Sequence, residues 1–195
     1  MLKRIVRRSL QLLSSGLILP LYAVYFLINP ISRKDRAFTA FAQFLSLLPG
    51  ITGSYLRVAF YNLVMKKCDR ELYIGFATQF SQQQTELHQG VYIGPQCNIG
   101  QCRIEANCLL GSGVHIISGK EQHKFSDLNT PIRHQGGIFT DVTIGEDSWI
   151  GNGALIMANI GKKCIIGAGS VVINDIPDFS IAAGNPAKII KTRLS

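Results

Sequence analysis

From Ile144 to Val172 the chain repeats with a period of six. It reads Ile144-Gly145-Glu146-Asp147-Ser148-Trp149 and Ile150-Gly151-Asn152-Gly153-Ala154-Leu155, passes through Ile156 to Asn159, and resumes as Ile160-Gly161-Lys162-Lys163-Cys164-Ile165 and Ile166-Gly167-Ala168-Gly169-Ser170-Val171. Each unit opens on an isoleucine, usually followed by glycine, and a small or β-branched residue recurs four positions on. A period of six suits neither an α-helix nor an alternating strand. It suits a solenoid whose flat sides each take six residues, with three sides closing a coil and the coils stacking. The leading aliphatic then points inward on every side. The glycine stands at the corner, where a side chain would clash or force a positive φ.

The rest of the chain is placed around this stretch. An early, weak hexad at Ile74-Gly75 puts the start of the solenoid near Leu72, and the polar run Phe80 to Gln89 is expected to bulge outward. The register is firm at Ile93 and Ile99, shortens by one residue to Ile104, and continues through Leu110 to Ile116. It stops over residues 118–141, an excursion of the kind that is usually functional, and returns at Val142. The step from Ile156 to Ile160 is shorter than the common pattern. Asn174 to Ser195 should form a short strand and a tail that close the last coil.

These hexads, with the ending Ile166-Gly167-Ala168-Gly169-Ser170-Val171-Val172 and then Ala183-Gly184-Asn185-Pro186-Ala187-Lys188, make the segment from Val91 onward resemble the hexapeptide-repeat acyltransferases. The likeness is to the maltose and galactoside O-acetyltransferases and their polysaccharide-modifying relatives. It implies a mainly β fold, a left-handed parallel β-helix over residues 72–195 preceded by N-terminal α-helices over residues 1–71. It also implies an acyl-CoA-dependent O- or N-acetyltransferase, with acetyl-CoA as donor and no metal. The implied assembly is a homotrimer with active sites between subunits, and the implied acceptor is a sugar, a polysaccharide or a lipid-linked glycan precursor.

An acetyl thioester is already activated, so such an enzyme supplies a base for the acceptor, a donor for the oxyanion, and positioning. A neutral imidazole suits the first task. The resemblance places the base a few residues after a Ser/Thr-Gly step at the break in the repeat. That step is Ser118-Gly119, which nominates His123. The sugar enzymes carry their histidine nearer the glycine, where this chain has Lys120 and Glu121, so His115 and His134 stay open as alternatives. Glu121 or Asp127 would orient the imidazole, and His88, in the polar run, is read as solvated. For the donor, the resemblance carries over Asn152 and Ala168 along the coil edge, and Lys188 and Lys191 where relatives use arginine for the CoA phosphates. Ile173 and Asn174 replace a Thr-Lys step of the relatives, removing one cation.

The formal net charge is +8, and much of the excess lies in the first seventy residues, at Lys3, Arg4, Arg7, Arg8, Arg33, Lys34, Arg36, Arg57, Lys66, Lys67 and Arg70. No nucleic-acid module accompanies it; a membrane surface fits better. Ser9 to Asn29 is uncharged and about as long as a bilayer-crossing helix requires. With basic residues on both flanks, it reads as a helix broken near Pro20 that dips in and returns to the same face, with a soluble helix packed on the solenoid or a neighbour and a true single span left open as alternatives. No small-residue cleavage site marks it as a signal peptide. The expected location is cytoplasmic, at the inner face of the membrane. Residues 37–68, interrupted at Pro49-Gly50, should give two helices, the second capping the open end of the solenoid. The five cysteines suggest no disulfide framework, and Cys97, Cys108 and Cys164 fall at small buried positions. Two other classes remain: a non-catalytic membrane-attached scaffold, and a trimeric zinc enzyme using His115, His123 and His134.

Overall fold

The computed structural model describes residues 2–32 and 35–194, with side chains from residue 6 onward. The side chains of Lys3 and Arg4, and residues Arg33 and Lys34, which belong to the basic flanks, lie outside the described residues. Three helices, α1 (Leu2–Ile28), α2 (Arg36–Ser46) and α3 (Gly50–Val64), precede a parallel β-helix of short strands that ends in an antiparallel hairpin.

The coils have three sides. The first holds Lys67–Cys68, Glu86–Leu87, Cys102–Ile104 and Val142–Ile144, and the third runs from Gln79–Phe80 to Val171–Val172. The second stacks Tyr73–Ile74, Tyr92–Ile93, Leu109–Leu110, Trp149–Ile150, Ile165–Ile166 and Ser180–Gly184 in parallel. Each inward residue lies on its counterpart one coil away, so Ile74, Ile93, Leu110, Ile150, Ile166 and Ala182 form one buried column. Ile144 and Ile160 are buried in the same way on the first side. The expected period-six core is therefore present. Its stability comes from continuous apolar stacking, since a single two-residue strand could bury little alone.

The fourth position after the leading aliphatic is apolar in some hexads, as at Val114 and Ala154, and has a polar task in others. Ser148 Oγ donates to Gly161 O at 2.9 Å and accepts from Cys164 N at 2.9 Å. Thr78 Oγ1 donates to Gly94 O at 2.7 Å. Thiols do the same work: Cys97 Sγ reaches Gly111 O, Cys108 Sγ reaches Gly145 O, and Cys164 Sγ reaches Pro177 O. These groups satisfy buried corner carbonyls of the adjoining coil. Desolvation pushes the Cys108 thiol up to about 11 and raises Cys68 and Cys102 as well. All five cysteines are free and buried, in the protonated form that neither attacks nor binds metal.

The glycine after each leading aliphatic is there for close approach. A Cβ on Gly151 would sit 2.5 Å from Ala168 N of the next coil. The positive φ at that corner belongs to Gly153, at 66°. Where a corner is short, side chains add to the backbone bonds, such as Ile160 N to Thr143 O and Gly145 N to Ile160 O, that still join the coils. Ile160 makes only isolated bridges to Ile144 and Ile176, while Asn159 Oδ1 accepts from Thr143 N and Asp175 Oδ1 from Asn159 N, each at 2.9 Å.

Three expectations need correction. The first coil opens at Lys67–Cys68, ahead of Leu72. The run Phe80 to Gln89 does not bulge: Phe80 and Leu87 are inward-facing, and Thr85 fills a buried corner by donating to Gly100 O at 3.1 Å. Helix α1 passes through Pro20 unbroken, because its contacts with the body at Ile18 and Tyr25 hold it on both sides of the proline. The two helices after it form as expected and cap the first coil. Phe38 packs on Tyr61, and Tyr61 meets Phe80 edge-on at 5.0 Å.

Candidate active site

The residues nominated from the sequence fall at two corners of the triangular coil. Between the second and third sides, Gly111-Ser112, Gly151-Asn152, Gly167-Ala168 and Ala183-Gly184 stack in consecutive coils. Asn152 Oδ1 accepts from Ser112 N at 3.1 Å, and its carbonyl accepts from Gly169 N at 2.8 Å. Because this edge carries glycine and alanine, its outer surface is a bare strip of backbone with Asn152 and Ala168 exposed along it. Lys188 pairs across the final hairpin with Ala183, which places a cation at the strip's end. Lys191 pairs with Ile181 on the same hairpin. Among the described residues neither lysine has an acidic partner within ion-pair distance. The structure thus gathers Asn152, Ala168 and Lys188 on one edge, with Lys191 beside it.

His123 stands at another corner, between the third and first sides, where residues 118–141 leave the coil. Their removal from the stack costs no register: His115–Ile116 still pairs with Leu155–Ile156, and Cys102–Ile104 with Val142–Ile144. At the neck, buried Ser118 accepts from Gln101 N through Oγ at 2.7 Å. Gly119, at a φ of 79°, lies where a Cβ would strike Thr140 Oγ1. The two legs are tied by Thr140 N to Ser118 O, Ile138 N to Glu121 O and Lys124 N to Gly136 O. A Cβ on Gly137 would overlap Gln122 O and approach His123 N, so the returning leg seats the backbone that carries the imidazole. The His123 side chain is exposed, with no hydrogen-bond partner among the described residues.

The other histidines differ. His115 faces outward on the third side, next to Asn98, and lines a pocket of about 480 Å³ with Gln122 and Phe139. His134 accepts from Arg133 Nε at 2.9 Å in a single 3-10 turn. Among the described residues no three metal-ligating side chains come together, and the three histidines do not converge on one point.

Two assigned roles are corrected. Asp127 does not orient an imidazole, because its carboxylate accepts from Asn129 N at 2.8 Å and Thr130 Oγ1 at 2.7 Å. Those bonds hold its carboxyl below the usual range. His88 is not a solvated loop residue. It lies on the outer face of the first side, near Lys67 at 3.2 Å and Glu105 at 3.4 Å. Asn98, Gln122 and Phe139 were missed as pocket-lining residues. Their signal was slight: an outward polar residue in a hexad, and two residues at the ends of the excursion.

A second cleft, of about 520 Å³, opens on the other flank of the excursion between Lys120, Glu121, Asp141 and the Asn159–Asp175 corner. Most of its polar groups already serve the coil, as with Asn159 and Asp175 above.

No family model matches the chain. It is 44% identical over 73 residues to a probable acetyltransferase of Mycobacterium tuberculosis, covering 36% of this chain and 24% of that protein. It is 32% identical over 124 residues to a probable macrolide acetyltransferase of Lysinibacillus sphaericus, covering 55% of this chain and 66% of that one. It is 32% identical over 114 residues to a chloramphenicol acetyltransferase of Escherichia coli, covering 50% and 54%. The chain thus spans between about a quarter and two thirds of the length of these relatives. Among solved structures, a maltose O-acetyltransferase from Clostridium difficile superposes with a TM-score of 0.62 at 22% identity, covering 81% of this chain and 86% of that one. A hexapeptide-repeat acetyltransferase from Vibrio cholerae superposes at 0.66 and 17%, covering 84% and 95%. A galactoside acetyltransferase in complex with coenzyme A superposes at 0.57 and 18%, covering 81% and 80%.

Proposed function

The chain resembles the hexapeptide-repeat acetyltransferases in sequence and shares their fold, and we propose that it is an acyl-CoA-dependent O- or N-acyltransferase acting on a sugar. The acceptor is a polysaccharide or lipid-linked glycan precursor, the working unit is a homotrimer, and the site of action is the cytosolic face of a membrane. The observation that carries the activity is the bare strip of Gly151, Asn152, Gly167 and Ala168 ending at Lys188. An extended pantetheine arm needs a groove without side chains, and the CoA phosphates need unpaired cations. His123 belongs to a different corner, so the two halves of the site meet when the excursion of one subunit reaches the strip of its neighbour.

In this reading the acceptor O–H or N–H gives its proton to neutral His123 while its oxygen or nitrogen attacks the thioester carbonyl carbon. A backbone N–H at the coil edge receives the oxyanion. Collapse breaks the C–S bond, and the imidazolium returns the proton to the CoA thiolate. General-base help is worth about two to four decades in rate. His123→Ala should lower turnover by that much and leave CoA affinity nearly unchanged. Lys188→Ala should weaken CoA binding with a smaller effect at saturation. The measurement is CoA thiol release from acetyl-CoA over a panel of sugars. If His115→Ala or His134→Ala is as damaging while His123→Ala is silent, the base has been assigned wrongly.

A further inference from the structure

Helix α1 is built inside out. The face against the body carries Gln11, Ser14, Ser15, Ile18, Leu21, Tyr22 and Tyr25, at spacings of three and four that mark one helical stripe. This is the more polar face. The opposite face carries Leu12, Leu13, Leu17, Val24 and Leu27, with Leu17 71% and Leu27 70% exposed. A helix in water does the reverse. Between α1 and the α2–α3 pair runs a trough of about 560 Å³ lined without a polar residue, by Leu17, Pro20 and Val24 on one wall and Phe44, Leu48 and Leu56 on the other. Phe44 is itself 58% exposed. The apolar surface therefore continues from one helix to the next, beyond what a soluble chain ordinarily exposes.

Charge identifies what covers it. Residues 1–68 contain a single acidic residue, Asp35, whose Oδ1 accepts from Gln83 N at 3.0 Å. Arg7 and Arg8 are exposed at one end of the apolar face and Arg36 at the other. Two copies packed face to face would bring these like charges together, whereas an anionic bilayer surface neutralises them. The inner face of α1 is fastened at Gln11 and, near its C-terminal end, at Tyr25. Gln11 Nε2 donates to Arg70 O at 2.9 Å, and Tyr25 OH donates to Gln83 Oε1 at 3.3 Å. The Tyr25 ring also meets Phe41 and Phe60 edge-on, at 5.4 and 5.5 Å. By length and composition α1 could cross a membrane. Crossing would break these ties or draw the polar rim of the first coil into hydrocarbon.

We infer that α1 lies in the plane of an anionic bilayer, half-sunk by its leucine face together with Phe44, and does not span it. The first coil is thereby held at the headgroup level. This deepens the membrane location proposed above and is independent of the transferase activity.

The test uses the full-length protein, taken from mild detergent into vesicles of phosphatidylcholine with phosphatidylglycerol and floated on a density gradient. The expected result is co-flotation that weakens in vesicles of phosphatidylcholine alone and in high salt. Leu17→Glu and Phe44→Glu should each lower partitioning by about tenfold or more with the thermal midpoint retained, since both side chains are exposed. Ser9→Cys and Pro30→Cys, beside five buried native thiols, should both react with a membrane-impermeant maleimide added outside sealed vesicles. If position 9 reacts only after lysis, α1 spans, and the in-plane proposal fails while the membrane location survives. If Phe44→Glu leaves flotation unchanged while Leu17→Glu abolishes it, the joint face is refuted. A protein that stays soluble without detergent and does not float overturns both the location and the proposal. If it is then a larger assembly that Leu17→Glu dissociates, a second copy covers the face.

Discussion

Arg57 joins the helices to the solenoid. It is fully buried, and its guanidinium faces no carboxylate. It donates instead to Leu45 O at 3.0 Å and Leu48 O at 2.7 Å, and through two nitrogens to Ile74 O at 3.3 and 2.9 Å. The first two acceptors lie at the C-terminal end of α2, where carbonyls lack helical partners. The third is the inward-facing residue of the first coil's second side. Burial lowers the guanidinium pKa, yet arginine stays charged in proteins. In composition Arg57 counts with the basic surface; in the fold it is a cap. Arg57→Met, which keeps the volume and removes the donors, should reduce stability by about 1–3 kcal/mol for each buried carbonyl left without a donor, read as a fall in the urea midpoint at unchanged slope. Arg57→Lys should restore little, because an ammonium cannot reach three carbonyls in a fixed plane.

At the scale of an element, the outer face of the first side is a charged ladder. Glu86 lies beside Lys67 and Arg103 in register, and Lys66 Nζ approaches Glu86 Oε1 at 2.5 Å. Arg103 Nε meets Glu105 at 2.7 Å. The hydrogen bond from Lys66 holds the Glu86 carboxyl below its usual value, and the same bond raises Lys66. A carboxyl depressed in the folded state stabilises it above the unfolded pKa, about 4.3. That contribution is lost as pH falls through the depressed value. For Lys66 the sign reverses: the contribution is fully present below the unfolded value of about 10.4 and is lost as pH rises through the raised value. Comparing thermal midpoints between pH 6 and pH 3, Glu86→Gln should show a shallower acid decline than the parent chain. Equal slopes would mean the pair is screened by water despite its geometry.

At the scale of the whole molecule, the strip and the imidazole stand at different corners of the solenoid, so under the proposed function a single chain presents only part of the site. Assembly follows from the proposed chemistry, since a cleft needs two walls and each chain presents one of each kind. Sedimentation of full-length protein in mild detergent should give three chains per particle. A monomer that still releases CoA in the presence of acceptor would show that one chain suffices.

Much of this was legible because hexapeptide periodicity is a local signal. Each unit meets only the coils on either side, so an isoleucine every six residues specifies its own burial, as at Ile144, Ile150, Ile160 and Ile166. The bounds of the excursion follow from the same regularity, whereas His123 as a candidate within it rests on the resemblance, which implies a histidine after the Ser118-Gly119 step. Other features depended on contacts distant in sequence. Thr85 became a corner residue when the carbonyl of Gly100, in the next coil, came within reach, which turned an apparent bulge into a side. Arg57 became a cap when the end of α2 and the edge of the first coil arrived at one place. The orientation of α1 could not be read from hydropathy, because its more polar face is the one packed on the body, the reverse of what an amphipathic helix in water shows. Its packed face was chosen by partners outside the helix: the Arg70 carbonyl, the Gln83 side chain and the rings of Phe41 and Phe60. The sequence by itself determined the repeating core, since that needs only neighbours of its own kind. Only the tertiary structure decided which corner each candidate residue occupies and which face of α1 is left bare, since both depend on groups far apart in sequence and close in space.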